Sequence, residues 1–138
     1  MIRILAKRDF SQYIQLVKTF RPIDDYICQG GFNEIYDYIF QNSKIFVYVI
    51  DKEIVGSVTV LIEKKFIHNF SIYIHLEDLI VHPNYQKQNI GSELLDFAIQ
   101  YCKHIKAKKI IINCDTELVH FYEKKKFMLD KKQMKLDL

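Results

Sequence analysis

One stretch of the chain, residues 72–114, does most to limit its fold. Ile72 to Val81 is a long run rich in β-forming residues and reads as a central strand. His82-Pro83-Asn84-Tyr85-Gln86-Lys87-Gln88-Asn89 follows as a polar loop. Behind it Ile90, Leu94, Ala98, Cys102 and Ile105 fall on one stripe of a helix. Lys109 to Cys114 is short and almost wholly apolar, as expected of a strand buried in parallel pairing. Strand, loop, helix and strand form a βαβ unit, for which a right-handed crossover is expected. The chain is thereby committed to an α/β fold with one mixed sheet.

The remaining elements fit around that unit. Ile2 to Leu5 reads as a short strand, and Asp9 offers an N-cap to a helix carrying Phe10, Ile14, Val17 and Phe20. Arg21-Pro22 ends that helix, because proline disfavours helical backbone in the residue before it. Gly30-Gly31 opens a second helix with Phe32, Ile35, Ile39 and Phe40 on or near one face. Ile45–Ile50 and Ile54–Ile62, joined by Asp51-Lys52-Glu53, read as a hairpin. Asp115 or Thr116 can cap a last helix running to about Lys125, and Phe127 to Leu138 reads as a final extended strand. The order is β-α-α-β-β-β-α-β-α-β, a mixed central sheet flanked by helices.

With 138 residues, four glycines, two prolines and no linker or repeat, residues 1–138 read as one domain. The formal net charge of +3 is too balanced to imply nucleic-acid binding by itself. Three widely spaced cysteines, Cys28, Cys102 and Cys114, argue against a disulfide framework and for a reducing, cytoplasmic setting. The N-terminus has no signal-peptide pattern and no stretch is long enough for a membrane span. The five histidines are scattered and show no zinc-site spacing, so no metal is expected. Cys114, on the apolar strand, reads as core rather than as a nucleophile. The groups Lys103-Lys106-Lys108-Lys109 and Lys124-Lys125-Lys126 read most simply as solvated faces.

Two local features carry chemistry. The segment Gln86 to Gly91 leads into the long helix, whose first turn presents unpaired N–H groups and a positive dipole end, a natural seat for phosphate. It is neither a P-loop nor a dinucleotide fingerprint, since Gly-Lys-Ser/Thr and Gly-x-Gly-x-x-Gly are both missing. Glu77-Asp78 places two adjacent acids in an apolar strand. Successive side chains point to opposite faces, so one of the pair should face a site or partner.

These segments resemble the GNAT acetyltransferases, and among them the glucosamine-6-phosphate N-acetyltransferase family. Gln86-x-x-Asn89-x-Gly91 is similar to the Gln/Arg-x-x-Gly-x-Gly/Ala segment that binds the coenzyme A pyrophosphate, with Asn for the first Gly. His75-Leu76-Glu77-Asp78 resembles a His-Ile-Glu-Asp-like segment of the family. Phe121-Tyr122 followed by Phe127 resembles its Phe/Leu-Tyr pair, and Lys65-Phe66-Ile67-His68 a basic-apolar-apolar-His segment of the sugar-phosphate site. The resemblance covers roughly residues 45–136 and implies a GNAT acyl-CoA N-acyltransferase fold using acetyl-CoA as co-substrate, with a homodimer sharing its amino-sugar site between subunits. It implies that Leu79, Ile80, Val81, Gln86, Lys87, Gln88, Asn89, Ile90, Gly91, Ser92 and Tyr122 bind the cofactor. Lys65, His68, Glu77, Asp78 and Leu79 would border the amino sugar. Tyr122 would protonate the leaving thiolate, Glu77 would take the ammonium proton directly or through water, and a backbone N–H near Leu79 or Ile80 would stabilise the oxyanion.

The chain departs from the family on the acceptor side. Asn113 stands where the family often has an acid that orients the amine; as a catalytic residue it can hydrogen-bond but cannot take a proton. Leu118 replaces an Asn, Asp137 replaces a basic residue tied to phosphate binding, and Arg21-Pro22 replaces a Thr-rich turn. Arg21, Lys64 and Lys65 are left as candidates to hold the phosphate. Two other readings stay open at this point: a GNAT enzyme for another amine, such as a protein, lysine or polyamine, and a non-catalytic module that binds acyl-CoA or RNA.

Overall fold

The computed structural model describes residues 1–24 and 26–138. Its elements in order are β1 (Ile2–Ile4), α1 (Phe10–Lys18), α2 (Gln29–Ile39), β2 (Ser43–Ile50), β3 (Glu53–Lys64), a one-turn segment α3 (Ile67–Phe70), β4 (Ile72–Val81), α4 (Ile90–His104), β5 (Lys109–Ile112) and α5 (Val119–Glu123). The strands form one sheet in the order β1-β2-β3-β4-β5. All neighbours are antiparallel except β4 and β5, which run parallel as the βαβ pattern required.

Strand alternation distributes the core over both faces of the sheet. Ile45, Val47 and Val49 of β2 pack with Leu16 of α1 and Phe32 of α2. Phe46, Tyr48 and Ile50, their neighbours in sequence, pack with Ile90, Leu94, Leu95, Ala98 and Cys102 of α4. Gly56 of β3 sits under α4, where a Cβ would come within 2.9 Å of Leu94 Cδ1 and 3.0 Å of the Ile80 carbonyl oxygen. Only glycine lets the helix lie this close, and the closeness fixes where the start of α4 stands relative to β4. Burial pushes the Cys102 thiol up to about 11, so this cysteine stays neutral inside the core.

Asp9 precedes α1, as expected, but its side chain does not cap that helix. The carboxylate instead accepts from Arg3 Nη1 at 2.6 Å and Nη2 at 2.9 Å, and from the Ala6 N–H at 2.8 Å. This ties the entry of α1 to β1.

Three expectations are corrected. Phe127–Leu138 pairs with no strand among the described residues, so the last β of the expected order is not formed. Met134, Leu136 and Leu138 keep the period-two pattern of a strand but stand exposed. The segment 109–114 forms a strand only to Ile112 and lies at the sheet edge, where it is half-buried. Cys114 is accordingly not core: it lies past the end of β5 and is exposed.

Burial alone would raise the Asp9 carboxyl, but the hydrogen bonds from Arg3 and Ala6 outweigh it and hold it below its ordinary value. A depressed folded-state value adds stability above the unfolded carboxyl's value, and that stability is lost as pH falls through the folded one. Asp9→Asn should therefore cost about 1–3 kcal/mol in urea unfolding at pH 7. The gap to the unsubstituted protein should narrow below about pH 4.

Candidate active site

β4 and β5 pair from Tyr73↔Lys109 to Leu76↔Ile112 and then part. Beyond Leu76 the edge of β4 facing β5 has no strand partner among the described residues. On its other edge β4 carries a bulge: Thr59 pairs with Glu77 and Ser57 with Ile80, leaving Asp78 and Leu79 opposite Val58. Asp78 takes up the extra residue in the left-handed region, at φ 49°.

The parting strands open a cleft of about 260 Å³, lined by Leu76, Glu77, Asp78 and Leu79 from β4 and by Ile112, Asn113, Cys114 and Asp115 from the end of β5. Strict alternation would send only one of Glu77 and Asp78 to the cleft. The bulge breaks the alternation, and both line it. Tyr122, on α5, closes one side, held edge-on against Phe121 and Phe127 at ring-centroid distances of 5.0 and 5.9 Å. Burial, and then the neighbouring Cys114, raises the Tyr122 phenol above its ordinary value. It therefore stays protonated throughout the neutral range. Tyr13 of α1 is pushed up to about 12, first by burial and then by the charge of Asp78.

The loop before α4 is built to leave backbone donors exposed. His82 Nδ1 accepts from the Asn84 N–H at 3.2 Å, and Gln86 Nε2 donates to the Val81 carbonyl at 3.3 Å, pinning the loop back on the strand. Gln88 Nε2 donates to the Asn84 carbonyl at 3.3 Å. Asn89 is the N-cap residue at φ 68°, ψ 0°, so Asn adopts here the left-handed conformation for which glycine is best suited. Lys87 is also left-handed, at φ 61°. No side chain caps α4, so the N–H groups of its first turn, from Ile90, Gly91 and Ser92, have no intrahelical acceptor. A Cβ on Gly91 would meet only ordinary contacts, Val81 Cγ2 at 3.5 Å and Phe121 Cζ at 3.8 Å, so internal packing does not demand glycine there.

Most of the residues singled out in the sequence converge: Glu77, Asp78, Leu79, Asn113 and Tyr122 share the cleft, and Gln86–Ser92 form the uncapped turn. Lys65 and His68 do not join them. Lys65 Nζ pairs with Glu63 at 2.6 Å and lies over the Tyr73 ring, against which His68 stacks at 5.8 Å. Tyr73 is four residues back along β4 from Glu77, about 13 Å. The cleft also takes in Phe20, Arg21, Leu118 and Gln133. Gln133 had no signal in the sequence, being one polar residue in a tail whose return to the cleft depends on the tertiary fold.

An open strand edge can pair with a ligand's amides, and an uncapped helix start can take its phosphates. The sequence profile of the acetyltransferase (GNAT) family matches residues 10–127, and the chain belongs to that family. Among its relatives is a glucosamine 6-phosphate N-acetyltransferase of Arabidopsis thaliana, 34% identical over 55% of this chain and 54% of the relative. A probable glucosamine 6-phosphate N-acetyltransferase of Drosophila melanogaster is 32% identical over 88% of this chain and 58% of the relative. The matched region thus spans little more than half the length of these two relatives. The crystal structure of glucosamine-6-phosphate N-acetyltransferase from Arabidopsis thaliana superimposes with a TM-score of 0.92 at 25% identity, covering 99% of this chain and 97% of that one. A Trypanosoma brucei acetyltransferase superimposes with a TM-score of 0.90 at 26% identity, over 100% and 99% of the two chains.

The left-handed Asn89 gives a direct test by calorimetry. Asn89→Gly should leave the Kd for coenzyme A within about threefold, since glycine adopts this conformation freely. Asn89→Val, strained there by about 1–3 kcal/mol, should weaken it by about tenfold or more.

Proposed function

We propose that the chain transfers the acetyl group of acetyl-CoA to the 2-amino group of D-glucosamine 6-phosphate, giving N-acetylglucosamine 6-phosphate by direct amine attack. The observation that carries this reading is the meeting of the open β4 edge, Tyr122, Glu77 and Asp78 in one cleft. The names of the relatives support the choice of acceptor.

Acetyl-CoA supplies the acetyl group as a thioester. The free edge of Leu79, Ile80 and Val81 can hold its pantetheine amides, and the uncapped turn Gln86–Ser92 its pyrophosphate. Glu77 takes a proton from the ammonium so that the amine attacks as a free base. The N–C bond forms, the C–S bond breaks, Tyr122 gives its proton to the departing sulfur, and the second proton of the attacking nitrogen restores the Tyr122 phenol as the amide forms. The bulged backbone at Asp78–Leu79 is the nearest source of an N–H for the acetyl oxygen. Asn113 orients the amine by hydrogen bonding. Holding both reactants in line can supply several kcal/mol of the barrier.

A homodimer belongs to this reading. Met128, Leu129, Met134 and Leu136 of the tail and Phe66, Ile67 and Phe70 at the turn before β4 stand exposed. His68, Asn69 and Phe70 all take positive φ, a run that an isolated turn has little reason to adopt. A second copy covering these groups is the route by which Lys65 and His68 reach an acceptor site. Among the described residues no helix is long and apolar enough to cross a membrane, and the three free cysteines fit a cytoplasmic setting.

Release of coenzyme A thiol, with glucosamine 6-phosphate, glucosamine and a lysine peptide as parallel acceptors, tests the reading. Turnover with the sugar phosphate in strong preference is expected; turnover with the peptide alone would replace the acceptor while keeping the fold. Tyr122→Phe should lower kcat roughly 10- to 1000-fold with circular dichroism unchanged. Ping-pong kinetics with an acetylated Cys114 would contradict direct transfer.

A further inference from the structure

Resting on the amino-sugar-phosphate reading, we propose that Arg21 holds the phosphate of the acceptor and is the residue that separates phosphorylated from unphosphorylated amines. The charges lining the cleft are unequal in a way that asks for this. Glu77, Asp78 and Asp115 are acids, and Arg21 is the one cation among the described lining residues. The acids suit an ammonium group. A guanidinium at the same cleft suits an anion, so the site fits a ligand bearing both.

Arg21 is held for such a role. Thr19, Phe20 and Arg21 extend the end of α1 through backbone hydrogen bonds, including Phe20 N–H to Val17 O at 2.9 Å and Arg21 N–H to Val17 O at 3.0 Å. Pro22 then stops the helix. The guanidinium lies over the Phe20 ring at 4.4 Å, and Nη1 donates to the Phe20 carbonyl at 3.1 Å. No carboxylate among the described residues pairs with it. The ring contact and this hydrogen bond engage the head while most of its five N–H donors stay available, and a guanidinium so placed can grip a phosphate in two places.

Within one chain the rival cations lie outside this cleft. Lys65 is paired with Glu63 at 2.6 Å, and Lys64 and Lys65 line a different depression, beside His75. Asp137, in the tail, carries the wrong sign.

Steady-state kinetics of the full chain, Arg21→Ala, Arg21→Lys and Lys65→Ala separates these assignments. Arg21→Ala should raise the KM for glucosamine 6-phosphate about 10- to 100-fold, the loss expected of charged hydrogen bonds. The KM for acetyl-CoA and the kcat/KM for glucosamine should stay within about twofold. Arg21→Lys should recover part of the loss, having the charge without the fork. An unchanged KM for the sugar phosphate in Arg21→Ala would overturn the inference. So would an equal loss with glucosamine, which would make Arg21 a residue that shapes the cleft, or a larger loss in Lys65→Ala. If the unsubstituted protein turns over other amines but not the sugar phosphate, the acceptor reading itself fails and takes this inference with it.

Discussion

Between Glu77 and Ile80, β4 carries one residue more than its ladder with β3 can match, and Asp78 absorbs it in a left-handed conformation. An aspartate there costs about 1–2 kcal/mol at most, less than a β-branched residue would. In return the strand breaks its alternation and turns Glu77, Asp78 and Leu79 together toward one cleft. The same stretch has lost its β5 partner beyond Leu76, so its backbone on that side is open. Adjacent acids, open strand edge and bulged backbone are consequences of one local irregularity.

The rest of the molecule holds that irregularity in place. Gly56, on the strand beside it, lets α4 approach until Leu94 and Ile90 touch the sheet, which sets the uncapped helix start beside Val81. Gln86 fastens the loop to the Val81 carbonyl. α1 is anchored by the Arg3–Asp9 pair at one end and delivers Arg21 to the cleft at the other. The two core clusters, one on each face, make the sheet a rigid support for a site built largely on backbone groups.

Much of this was legible in the sequence because it follows from periodicity and punctuation. The stripe from Ile90 to Ile105, the apolar run Ile72–Val81 and the turn residues between them fixed the βαβ unit. Asn89 at a position wanting left-handed backbone was readable through the resemblance, as an Asn standing for a Gly. The bulge was not: nothing in Glu77-Asp78-Leu79 says that alternation fails there, because the failure is set by the register of β3. The tail misled for a related reason. Met134, Leu136 and Leu138 have a strand's pattern, but a pattern does not name the partner, and none of the described strands pairs with it. Cys114 misled because β5 stops at Ile112, two residues before the apolar run ends. Lys65 and His68 are near Glu77 by resemblance but a strand's length away within one chain.

A crystal structure of the protein with coenzyme A bound tests the central claim most directly. The account predicts the pantetheine arm lying along Leu79–Val81, its amides bonded to the open edge of β4, and the sulfur in the cleft beside Tyr122. It would be contradicted by coenzyme A seated elsewhere, or by β5 continuing its ladder with β4 past Leu76 so that the cleft is closed.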